Sequence, residues 1–143
     1  MRSKRLQDAP ERTYVLVFEK GEEVVGGLET FAEEEGLTGS AFTGIGAFES
    51  VTLGYFEQER KDYRRIPIDE QVEVVSLVGN VAIDDGKPQI HAHVVVGKID
   101  GTAHGGHILE ARAWPTLEVV LHEQPGHLQR RTDPETGLAL LTP

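Results

Sequence analysis

The chemistry-bearing residues of this 143-residue chain gather between Gln89 and Leu109, a segment that holds four of its six histidines. It reads Gln-Ile-His-Ala-His-Val-Val-Val-Gly, a short turn, then His-Gly-Gly-His-Ile-Leu. In an extended strand, residues two apart point to the same face. His91 and His93 therefore project together, with Ile90, Ala92, Val94 and Val96 on the other side. Gly97 to Gly101 reads as the tip of a hairpin, so the returning chain brings His104 and His107 near the first pair. Three imidazoles converging from adjacent strands could hold a transition metal, with one coordination position left for water or a ligand. The chain has no cysteine, so any metal must use His and carboxylate donors. His104 stays open as a fourth ligand, a partner that steadies a ligand, or a loop residue, because its parity depends on the hairpin length. Gly105 and Gly106, which precede His107, allow a neighbouring backbone or a ligand to come close.

A carboxylate is the other element such a site would use. Trp114 to Glu123 alternates, with Leu117, Val119 and Leu121 on one face and Glu118, Val120 and His122 on the other. Turned toward the histidines, Glu118 could orient an imidazole N–H or act as general base on a metal-bound water, which makes it the candidate catalytic residue. The alternative is a surface or intersubunit ion pair. Glu73 and Glu49 are weaker candidates, and His122 and His127 read as surface residues. Gly44-Ile45-Gly46 lacks the third glycine and the following helix of a dinucleotide site. It reads instead as a turn or bulge where backbones approach. There is no phosphate-binding loop and no Gly-x-Ser-x-Gly nucleophile elbow.

The elements that must position these residues are mostly strands. Residues 1 to 12 carry charge and a proline without periodicity and read as an arm. Thr13 to Lys20 is rich in β-branched and aromatic residues and predicts a strand. Glu22 to Glu35 predicts a helix, with Val24, Val25, Leu28, Phe31 and Ala32 as one apolar stripe. Glu22 and Glu23 suit its positive end, and Gly36 stops it. Gly26 and Gly27 either allow close packing on a sheet or delay the helix start. Ser40–Gly46 and Glu49–Glu57 read as two extended runs, followed by strands at Tyr63–Ile68 and Glu70–Ile83 and a turn at Asp84–Pro88. Pro125 and Gly126 end the regular structure and leave a tail over 124–143. The expectation is one α+β domain over residues 1–143, with a core of about 13–123: an antiparallel sheet with one main helix after the first strand.

Composition bounds the function. The chain is 38% hydrophobic and carries 16 glycines, which suits a turn-rich β fold of modest core that gains by self-association. No run of about 18 apolar residues could span a membrane, and the basic start has no apolar stretch behind it, so a cytoplasmic location is the default. The net charge of −10 argues against a large phosphate-binding surface. A local basic patch can coexist with an acidic average, and its candidates are Arg2, Lys4, Arg5, Arg60, Lys61, Arg64, Arg65, Arg130 and Arg131; the alternative is that these are solvated loop and terminal charges.

Several segments together resemble a known family. Gly44-Ile45-Gly46-Ala47-Phe48-Glu49-Ser50-Val51-Thr52-Leu53-Gly54, Val74-Val75-Ser76-Leu77-Val78-Gly79-Asn80, His91-Ala92-His93, Gly105-Gly106-His107-Ile108-Leu109 and Thr116-Leu117-Glu118-Val119 lie in order along Thr13 to Glu123. In that order they resemble the plants-and-prokaryotes-conserved (PPC) domain, stand-alone prokaryotic type. The resemblance implies an α+β domain that assembles as a homotrimer, with DNA-associated regulation as the family's label. Plant relatives add an AT-hook. This chain has no Arg-Gly-Arg-Pro hook, which puts direct DNA contact in question. The resemblance also implies that His91, His93 and His107 hold a metal such as zinc. Three readings follow: a trimeric metal-binding module with a DNA-associated role, a metal-dependent enzyme acting on a small polar substrate, and a scaffold whose histidines line a subunit contact.

Overall fold

The computed structural model describes residues 1–7 and 11–142, residues 3–7 by backbone alone. Its elements are β1 (Arg2–Gln7), β2 (Thr13–Glu19), α1 (Val24–Glu34), β3 (Gly39–Glu57), β4 (Asp62–Ile68), β5 (Val72–Asp84), β6 (Lys87–Gly97), β7 (Ala103–Glu123), β8 (Gln129–Thr132) and β9 (Ala139–Thr142). The predicted helix follows the predicted strand, and the rest is sheet.

Two long strands organise the molecule. β3 runs antiparallel to β7 from Ser40↔Glu123 to Gly54↔His107, β5 adds to β3, β6 adds to β5, and β6 returns to β7 through His93↔His107. The sheet thus closes on itself through β3, β5, β6 and β7. Closure needs strong bending, and the register shifts of β3 between Gly44 and Gly46, Gly46 and Phe48, and Phe48 and Ser50 supply it. Alternation fills the inside: Ala92, Val94 and Val96 of β6 and Leu117, Val119 and Leu121 of β7 are buried in one apolar cluster with Phe18, Phe42 and Phe48.

The helix adds its apolar stripe to that cluster, burying Val24, Leu28, Phe31 and Ala32. Gly27 lets it come close to the sheet, since a Cβ there would sit 2.6 Å from the Phe18 ring. The helix starts after Glu23, whose carboxylate accepts from the Val25 and Gly26 amides at 3.2 and 2.6 Å and from the Ala111 amide of β7 at 3.3 Å. One side chain therefore caps the helix and ties it to the sheet. Glu23→Ala should cost about 1–2 kcal/mol, read as a lower urea midpoint with an unchanged slope.

Three expectations are corrected. The first twelve residues are not simply an arm: Arg2–Gln7 pairs with β2, because β2 presents a free edge. Asp8, Ala9 and Pro10 lie outside the described residues. The runs around Gly46 are one strand, Gly39–Glu57, since bulges absorb what glycine spacing suggested was a break. The C-terminal segment is not irregular. β8 and β9 form a hairpin, and β8 meets β5 at Ile83↔Gln129. The Ile83 amide also donates to the Leu128 carbonyl at 2.8 Å.

Candidate metal centre

Strand parity places the histidines as the spacing predicts. On β6, His91 is half-buried and His93 exposed, between inward-facing Ala92 and Val94. His107 of β7 stands directly opposite His93. The close approach depends on Gly106, where a Cβ would meet the Gly54 carbonyl of β3 at 2.9 Å. Gly54, opposite His107, leaves room for the Tyr63 ring of β4, which stacks on His107 with centroids 4.7 Å apart.

The three imidazoles form a compact group. Their ring centroids are 5.2, 5.3 and 5.5 Å apart, and one nitrogen from each lies within 4.8 Å of the others. His91 Nε2 and His93 Nε2 are 3.2 Å apart. Two nitrogens bound tetrahedrally to one ion at zinc–imidazole distance sit roughly 3.3 Å apart, so this pair already has a ligand spacing. His107 Nδ1 is buried with no hydrogen-bond partner among the described residues, and a bound cation is one group that would satisfy it. The donor set of three imidazoles and no thiolate suits zinc or a similar divalent ion.

The electrostatics favour neutral rings at His91 and His107. Burial lowers the His107 pKa from 6.5 to about 4, with His91 and His93 adding to the effect. Burial also lowers that of His91, helped by Arg130 and His93. A neutral imidazole is the form that ligates. The same shift sets an acid limit. Below pH 6.5 the unfolded chain takes up a proton at His107 that the folded chain refuses down to about 4. Metal-free protein should therefore keep its full stability above that window and lose about 1–3 kcal/mol as pH falls through it. Urea midpoints taken across the window check this, and His107→Ala should flatten the slope.

His104, one parity step away, is not part of the group. It pairs with Val96 and approaches Thr102 Oγ1 at 3.4 Å. Glu118 is exposed and pairs with Val17 and Ile45, eleven residues beyond His107 on β7. That is roughly 35 Å along an extended strand, so the structure does not bring it to the histidines of its own chain. Glu73 faces Gly97 at the other end of β6. His122 contacts Thr13 at 3.3 Å, and His127 is exposed after β7.

Sequence reasoning missed the place of two residues beside the triad. Tyr63 had no signal, being one aromatic in a short strand. Arg130, grouped with the solvated charges, is only 8% exposed. The β8–β9 hairpin carries it beside β5, where it lines a cavity of about 280 Å³ with His91, His107 and Tyr63. The alternation Gln129 out, Arg130 in, Arg131 out was the readable trace. Four of the other basic residues behave as surface charges: Arg2 pairs with Glu19, Arg60 and Arg64 with Glu57, and Arg65 with Glu110, while the side chains of Lys4 and Arg5 lie outside the described residues.

Comparison with known proteins agrees with this architecture. The family model of the Plants and Prokaryotes Conserved domain (PCC, the PPC domain above) matches residues 5–125. The chain belongs to this family. A PPC protein of Pyrococcus horikoshii is 32% identical, covers 99% of this chain and 95% of its own, and superposes with a TM-score of 0.86. A metal-containing protein of Archaeoglobus fulgidus is 36% identical over 92% of this chain and 93% of its own, with a TM-score of 0.85. A "putative DNA-binding protein" of Bacteroides thetaiotaomicron is 26% identical over 98% of this chain and 96% of its own, with a TM-score of 0.87. No curated protein matches the chain by sequence. Among the described residues, no helix of this PPC protein is long and apolar enough to cross a membrane.

Proposed function

We propose that this PPC protein is a cytoplasmic metal-binding module of one domain, assembled as a homotrimer, in which His91, His93 and His107 hold a zinc or similar divalent ion. The observation that carries the reading is the convergence of three nitrogens from two paired strands within 4.8 Å. The metal-containing relative from Archaeoglobus fulgidus supports it. Self-association is supported by the outer side of the sheet, where Ile45, Val75 and Val78 are 62%, 60% and 49% exposed. Elemental analysis of untagged protein tests the metal, and sedimentation should return a mass of about three chains.

The cavity next to the triad favours a second reading, a metal-dependent enzyme acting on a small polar substrate. A zinc with an open position would polarise a substrate oxygen or lower the pKa of a bound water. The residues of this chain would hold the substrate in the cavity, and Glu118 stands outside it within one protomer. A DNA-associated role rests on the description of relatives such as the Bacteroides protein. The acidic net charge and the paired arginines oppose it. DNA binding would appear as affinity for a labelled duplex that falls steeply with salt. The expected result is no such binding at low salt.

A further inference from the structure

Arg130 is the least expected side chain near the triad. It is 92% buried, yet its hydrogen bonds go to neutral acceptors: Nη1 donates to the Ala139 carbonyl at 3.1 Å, and Nη2 donates to Asn80 Oδ1. Those bonds account for two of its five N–H groups. Among the described residues no carboxylate lies within ion-pair distance of it, and Asp84, which lines the same cavity, supports its charge only from further off. A guanidinium removed from water without an anionic partner is costly. Proteins keep such a group where a ligand supplies the anion, and the planar fork of arginine matches a carboxylate.

The rest of the cavity defines the ligand. Its volume of about 280 Å³ suits a small molecule. One wall is apolar, built by Ile90 of β6 with Leu138 and Leu140 of the C-terminal hairpin. His91 and His107 of the triad line it as well. We propose that this cavity binds a small organic carboxylate, its carboxylate on Arg130 and its short apolar body against Leu138 and Leu140, with its far end toward the histidine triad. The contact at that far end rests on the metal reading. The contact at Arg130 does not. Phosphate would share the arginine, but it would leave the apolar wall uncovered, and this favours the carboxylate.

Calorimetry with isovalerate tests the site, on metal-free and zinc-loaded protein, with isovaleramide and inorganic phosphate as comparison probes. Isovalerate should bind both forms, the amide about tenfold or more weakly, and phosphate more weakly than isovalerate. Arg130→Gln should lose isovalerate by a similar factor while retaining zinc. Because Arg130 is buried, circular dichroism must show that variant folded. Leu138→Glu, which sets a like charge on the wall and leaves Arg130 in place, should lose isovalerate independently. Equal binding of acid and amide, undiminished binding by both variants, or no isovalerate binding in either form overturns the proposal. Phosphate binding tighter than isovalerate overturns the choice of carboxylate. Failure of zinc to bind at all, with isovalerate still dependent on Arg130, overturns the metal reading and leaves the anion site standing.

Discussion

Replacing His91 and His93 together by alanine should reduce bound zinc from about one ion per chain to almost none, and leave the fold intact. Both side chains point away from the core, His93 being exposed and His91 half-buried, so their removal opens no cavity among the packed residues. Two of three ligands go at once, and His107 alone cannot hold the ion. Stability separates this outcome from unfolding. A ligand at a thousand times its dissociation constant stabilises the folded state by about 4 kcal/mol. The melting temperature of the wild type should therefore rise with added zinc, and that of the double variant should not move. His104→Ala should keep its metal, since that side chain lies off the triad. Zinc retained by the double variant, or none taken up by the wild type after zinc is supplied, would sink the assignment.

The site was legible because it is built from the simplest sheet rule. Parity put His91 and His93 on one face, and a turn between Gly97 and Ala103 laid His107 against His93. The same parity, once the register is known, turns His104 away. The helix was equally readable, from its apolar stripe and the acidic pair before it, although only Glu23 caps it. What periodicity could not show depends on long-range pairing. The free edge of β2 recruits Arg2–Gln7, and the β5 edge meets Gln129, so segments without a strong pattern of their own become strands. Arg130 follows from that second event. A doublet of arginines near the end of an acidic chain looks solvated until the hairpin that carries it has a place to dock. Tyr63 is similar: its partner His107 is 44 residues away in the chain, and the space it fills exists because position 54 is glycine.

Gly46→Ala should be the most destabilising single-methyl change at a position remote from the triad. Gly46 sits between two register shifts of β3, with φ of +148°, a conformation that side chains other than glycine rarely adopt. Space is lacking as well. A Cβ there would stand 2.3 Å from the Thr116 carbonyl oxygen and 2.8 Å from the Leu117 Cα. Both obstacles are backbone of β7, held by pairing to β2 on one side and β3 on the other, so no rotamer change relieves them. Relief requires β3 and β7 to part where β3 bends. The combined cost should be about 3 kcal/mol or more, which for a chain of this size lowers the melting temperature by roughly 10 °C. The glycine is thus a steric requirement of the bulge between β3 and β7, and the Gly-Ile-Gly pattern that resembles a nucleotide loop serves a bend. A wild-type melting temperature in Gly46→Ala would show that the β3–β7 contact at this bulge is slack. The zinc content of the folded variant should be unchanged, because the triad is held at the opposite end of β7, where His107 meets β6.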